Sequence, residues 1–137
     1  MDKPANLYEA FEQVCEAIAA QPNNYYQAAW ARPAKTVARN LGRDPDSACG
    51  TAYCRAGWLE AIIEDKAIND ECLIADSAAR RLLKAGIPSY AIDDLFDGNA
   101  CGNNTGYGTP PYIAKGIQGV KAFMAKYEEQ LKGATLD

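Results

Sequence analysis

Histidine is missing from these 137 residues, and its absence removes whole classes of chemistry. Neither a Ser–His–Asp triad nor a Cys–His pair can be built from this chain alone, and zinc sites that rely on imidazole are excluded with them. A basic surplus is also missing. The formal net charge is −4, and each half of the chain carries seven basic and nine acidic side chains. A general nucleic-acid binder would show an excess of Lys and Arg, so direct nucleic-acid binding is not expected. No apolar run approaches the roughly 18 residues that a membrane span needs. Met1 to Asn6 lacks the apolar stretch of a signal peptide, which points to the cytoplasm. There the five cysteines are expected as reduced thiols, and their odd number argues against a disulfide framework.

What is present is helical patterning. Leu7, Phe11, Val14, Cys15 and Ile18 form the stripe of an amphipathic helix that Pro22-Asn23-Asn24 ends. Tyr25 to Trp30 reads as a helical turn that pins Trp30 against the centre of the fold. Pro33 suits the first position of a second helix, with Ala34, Val37, Ala38 and Leu41 inward and Gly42 closing it. A short strand through Thr36-Val37-Ala38 is the competing reading. After a turn near Asn69-Asp70, Asp76 or Ser77 is expected to cap a helix ending at Ala85, and Ser89 to cap one from Tyr90 to Phe96. The clearest periodicity is Ile113, Ile117, Val120, Met124, Tyr127 and Leu131, with Gly133 as the stop.

The stretch from Thr51 to Asp65 carries almost no polar surface, so it is expected to lie buried with the other helices wrapped round it. Ala52, Ala56, Gly57 and Ala61 leave room for a neighbouring backbone, while Cys54, Trp58, Leu59, Ile62 and Ile63 supply bulk. The fold expected is all-α, one domain over residues 1–137, with five or six helices round this rod.

Candidate chemistry is sparse. A four-thiolate zinc site from Cys49, Cys54, Cys72 and Cys101 lacks any Cys-x-x-Cys pair. Small apolar fillers in a helical core are the favoured role for these cysteines. The Gly/Asn-rich segment 97–109 fails as an EF-hand because Gly108 stands where a glutamate must chelate, and it lacks the ending of a P-loop. It remains a polar loop whose backbone N–H groups, Asn103 and Tyr107 are candidates to meet a partner. Arg32, Lys35, Arg39 and Arg43 form an acid-free basic run just after Tyr25, Tyr26 and Trp30. On a helix Arg32, Lys35 and Arg39 would share a face able to hold phosphate or acidic side chains. The candidate partner-binding residues are therefore Trp30, Arg32, Lys35, Arg39, Asn103 and Tyr107. No catalytic residue, cofactor or metal site is assigned.

Cys49-Gly50-Thr51 is similar to part of the Cys-Gly-Ser-Cys-Trp segment of papain-like proteases, but no histidine base accompanies it. The longer pattern Cys-Gly-Thr-x-x-Cys-x-Ala-Gly-Trp, Cys49 to Trp58, resembles a segment of small bacterial and bacteriophage proteins of no assigned function. In these proteins an aromatic residue and a tryptophan precede the pattern, as Tyr26 and Trp30 do, and later segments are similar to Ala85-Gly86-Ile87 and Leu95-Phe96. Arg55 stands where an apolar residue is more usual. With the small size, mild acidity and lack of a catalytic set, this resemblance implies a non-enzymatic binding protein. A phage protein that engages a host protein complex is the expectation, and inhibition of a defence system such as CRISPR–Cas is its most concrete form. The alternative is a small-molecule or nucleotide-binding protein that uses the 32–43 basic run and the 97–109 loop.

Overall fold

A computed structural model describes residues 3–68 and 70–136, so the expected turn at Asn69 lies outside the described residues. Among the described residues seven α-helices make an all-α domain: α1 (Leu7–Ala20), α2 (Ala34–Asn40), α3 (Arg55–Glu64), α4 (Glu71–Lys84), α5 (Ser89–Phe96), α6 (Pro110–Lys126) and α7 (Glu128–Gly133). Two short strands, β1 (Ala31–Pro33) and β2 (Thr51–Tyr53), pair antiparallel with Ala31 opposite Tyr53 and Pro33 opposite Thr51.

The central rod is present but shorter than Thr51–Asp65. Its first residues pair with β1 instead, and Cys54 rather than Thr51 occupies the N-cap of α3. The extended state is favoured there because it saturates the backbone. Tyr26 N–H donates to the Tyr53 carbonyl and Cys54 N–H to that of Ala29, while Gly50 turns the chain at φ +75°. Arg55, Ala56, Gly57, Leu59, Glu60 and Ile63 are buried. Trp58 and Ile62, expected in the core, are half-buried at its edge. The small residues act as anticipated: a Cβ on Gly57 would stand 2.2 Å from the Trp30 carbonyl oxygen.

Around this rod α1 packs against α3, α6 and α7, and α4 and α5 close the other side. Asn6 caps α1 by accepting from Glu9 N–H at 2.9 Å, and Leu7, Phe11, Val14, Cys15 and Ile18 are buried as the stripe requires. Residues 25–30 are not a helical turn: Tyr25 bridges Tyr53 in a parallel fashion, and Trp30 meets Phe96 edge-on at 6.2 Å. Helix α4 starts at Glu71, capped by Asp70 through Leu73 N–H, and not at Asp76 or Ser77. Asp76 serves inside the helix as the i,i+4 partner of Arg80. Pro88, not Ser89, is the N-cap of α5. The C-terminal periodic stretch is broken at Tyr127 (φ −117°, ψ 26°) into α6 and α7. Among the described residues no helix is long and apolar enough to cross a membrane.

Candidate functional site

The corner from Cys49 to Trp58 folds as turn, strand and helix start, and the polar groups of Tyr53 and Arg55 are spent on holding the fold. Arg55, the first residue of α3, is 3% exposed. Its Nε donates to the Gly116 carbonyl, Nη1 to that of Leu95 at 2.9 Å, and Nη2 to those of Lys115 and Gly116. Gly119 makes the space, since a Cβ there would stand 2.1 Å from Nη2. Among the described residues no carboxylate pairs with this guanidinium; the ion pairs found there belong to Arg80, Arg81 and Lys132.

Beside Arg55 runs a buried chain of hydrogen bonds. Gln27 Oε1 accepts from Arg55 N–H and from the Tyr25 hydroxyl, which also lies 3.0 Å from Cys101 Sγ. The Tyr112 hydroxyl accepts from Gln27 N–H and donates to Asn104 Oδ1 at 2.7 Å. Burial pushes the Tyr25 and Tyr112 hydroxyls far above the ordinary phenol range. It also raises the Cys54 thiol to about 11, outweighing the nearby N–H groups of Gly57 and Ala56. Cys54 is therefore a protonated, inert thiol at neutral pH.

The segment 97–109 is a stack of turns fastened by this network. Asn104 Nδ2 donates to the Gly98 carbonyl, Asn103 Oδ1 accepts from Thr105 N–H, and Arg43 Nη2 donates to the Thr105 carbonyl. Tyr107 is 1% exposed, its hydroxyl donates to the Asn23 carbonyl, and its ring lies against Tyr26 and under Arg43. A ring so enclosed orders the loop and offers no outer surface, whereas Asn103 is exposed.

The basic run divides between two elements. Arg32 lies on β1 rather than on the helix with Lys35 and Arg39, because a residue before proline is driven to extended backbone. Lys35 and Arg39 are exposed one turn apart on α2, whose opposite side buries Ala34, Val37 and Ala38. Gly42, at φ +73°, ends α2 and delivers Arg43 to the loop, with Arg43 N–H bonded to the Ala38 carbonyl. Arg43, which follows α2, thus ties its end to the loop at Thr105, whose N–H bonds Asn103, while Lys35 and Arg39 stand exposed on α2 itself. Arg32, on β1, and Trp30, just before it, are half-buried.

A separate cleft of about 520 Å³ lies between α1, β2 and α3, with Trp58 and Ile62 in its wall and the exposed Cys49 at its rim. The four cysteines considered for zinc do not converge. Cys54 and Cys101 are buried, Cys49 and Cys72 are exposed, and no three metal-ligating side chains come together among the described residues.

The residues that sequence reasoning missed are Tyr25, Gln27 and Arg55. One signal was available: Gly116 and Gly119 lie inside an otherwise regular helix, where each costs about 1 kcal/mol relative to alanine, a cost that points to something pressed against them. Here Tyr25 and Arg55 press against them. No protein-family model, curated protein or solved structure matches the chain.

Proposed function

We propose that the chain is a non-enzymatic binding protein that engages an acidic face of a host protein complex through Arg32, Lys35, Arg39 and Asn103, with Trp30 alongside. The observation that carries this reading is the state of the cations. Lys35 and Arg39 stand exposed on a helix anchored by its other side, and among the described residues neither they nor Arg32 has a carboxylate partner. Cations held on a rigid surface without internal partners favour an oppositely charged surface and speed its encounter. Tyr107 contributes from beneath by fixing the loop that carries Asn103.

The likeness of Cys49–Trp58 to small bacterial and bacteriophage proteins supports a bacterial cytoplasm as the setting. Inhibition of a defence system such as CRISPR–Cas is the most specific form of this proposal. Expression of the chain in cells with an active CRISPR–Cas system is expected to restore plating of a targeted phage, and the variant Lys35→Glu/Arg39→Glu to lose that effect. Unchanged plating with the wild-type chain removes the CRISPR–Cas form.

The contact between Arg43 and the Thr105 carbonyl favours a second reading, because it joins the basic run to the 97–109 loop. A nucleotide or other small phosphorylated molecule would then sit between them. A thermal-shift series with nucleotides separates the two: a rise of several degrees that Arg39→Glu abolishes supports the small ligand.

A further inference from the structure

We propose that the cleft between α5 and α6, floored by Arg55 and Tyr127, binds a small organic monocarboxylate with an apolar body. This cleft, of about 390 Å³, is not lined by Lys35 or Arg39, and the inference does not depend on the reading of those cations. Two groups with unused hydrogen-bonding capacity line it. Arg55 has five N–H donors, and the carbonyls of Leu95, Lys115 and Gly116 leave one Nη1 N–H and the whole positive charge without a partner among the described residues. A buried charge is ordinarily matched by an opposite one, and here none is supplied from within.

The second group is the Tyr127 hydroxyl. Tyr127 is 7% exposed, and its oxygen has no hydrogen-bond partner at full bonding distance and angle; the Tyr90 hydroxyl lies close enough to act on it, and the Asp94 carboxylate adds its charge. A buried hydroxyl left unbonded is uncommon, and a ligand that accepts its proton in a hydrogen bond would satisfy it. A carboxylate answers both, with one oxygen accepting from Arg55 Nη1 and the other from Tyr127.

The walls define the rest of the ligand. Ala91 and Phe123 are apolar and suit a flat ring or short aliphatic body, and the modest volume limits its size. Lys115 and Lys126 at the rim add positive charge, while Asp94 on the same rim opposes it. That balance suits one negative charge better than the two of a phosphate monoester.

The test is a titration of the full chain with sodium benzoate, followed by NMR shifts of Tyr127 and Gly119, with benzamide and inorganic phosphate as parallel probes. Benzoate is expected to saturate at or below the millimolar range, and benzamide and phosphate to bind more weakly. Tyr127→Phe keeps the ring and removes only the unbonded hydroxyl, so the fold is retained and benzoate affinity should fall about tenfold. Asp94→Asn removes the opposing charge and should tighten benzoate several-fold. The proposal is overturned if benzoate produces no shift up to about 10 mM, if benzamide or phosphate binds as tightly, or if Tyr127→Phe binds benzoate as the wild type does.

Discussion

Among the described residues neither Arg55 nor the pair Lys35 and Arg39 has a carboxylate partner, and they lack one in opposite ways. Arg55 is enclosed by α3, α5 and α6, and the backbone has shaped itself round it: Gly119 stands clear of Nη2, and three carbonyls turn inward to accept its N–H groups. Lys35 and Arg39 project from α2 with nothing arranged to receive them. An interior cation whose neighbours are adapted to it holds the fold with most of its N–H groups, and only its one spare N–H is left for a ligand. An exterior cation on an anchored helix, with no neighbour adapted to it, is available for a partner. Substitution should therefore separate stability from binding.

The largest expected effect is at Arg55. Arg55→Ala removes the guanidinium donors to the Leu95, Lys115 and Gly116 carbonyls, leaves Leu95 only a long 3.5 Å bond from Gln27 Nε2, and opens a void between α3 and α6, a loss of about 3–5 kcal/mol in chemical denaturation. A loss below about 1 kcal/mol would mean the surroundings do not depend on it. Next is Gly57→Ala, which gains helix propensity but drives a methyl into the Trp30 carbonyl, a backbone atom that cannot swing aside. The expected net cost is about 2–3 kcal/mol, read from the same denaturation curves.

A pH series gives a third test of the interior. Cys54, held at about 11, and the Tyr25 and Tyr112 hydroxyls, also raised, keep their protons longer in the folded chain than in the unfolded one. Their contribution is whole below the unfolded values and is lost as pH rises towards the folded ones. For Cys54 that window runs from 9.0 to about 11, and the loss is about 2–3 kcal/mol. Thermal melts should fall steeply across this window, and Cys54→Ala should flatten part of the fall.

The smallest interior effect is expected at Glu60. Its carboxylate is buried on the same helix as Arg55, but Arg81 Nε meets it at 2.8 Å. Burial raises its pKa despite Arg81, so desolvation offsets much of the attraction. Glu60→Gln should change stability by less than about 1 kcal/mol at neutral pH, because Arg81 keeps Glu64. A larger loss would mean the ion pair outweighs its desolvation.

The frame of the fold was readable because it rests on apolar spacing. The stripe of α1, the Gly42 stop of α2 and the close approach at Gly57 follow from which residues recur and where glycine sits, whereas the buried side of the rod takes in Arg55 and Glu60 and leaves Trp58 and Ile62 at its edge. The errors came where a partner distant in sequence decided the outcome. Thr51-Ala52-Tyr53 has helical neighbours on one side only, and it becomes a strand because β1 is there to pair with it. Arg32 left the expected helical face because Pro33 follows it. Of the candidate site, the charges of Lys35 and Arg39 were visible in the sequence, but the enclosure of Tyr107 was not, since it depends on Asn23 and Arg43 coming together in space. Arg55 was noticed only as an exception to a pattern, and its reason lies some 60 residues away at Gly116 and Gly119.

The measurement that bears most directly on the division between folding and binding cations is a paired one on Lys35→Glu/Arg39→Glu. Its melting temperature and its capture of a bacterial complex are read side by side with the wild type by quantitative mass spectrometry. The expected result is a melting temperature within about 2 °C of wild type and at least a tenfold loss of the captured complex. Capture at the wild-type level by a folded variant would contradict the assignment of this surface.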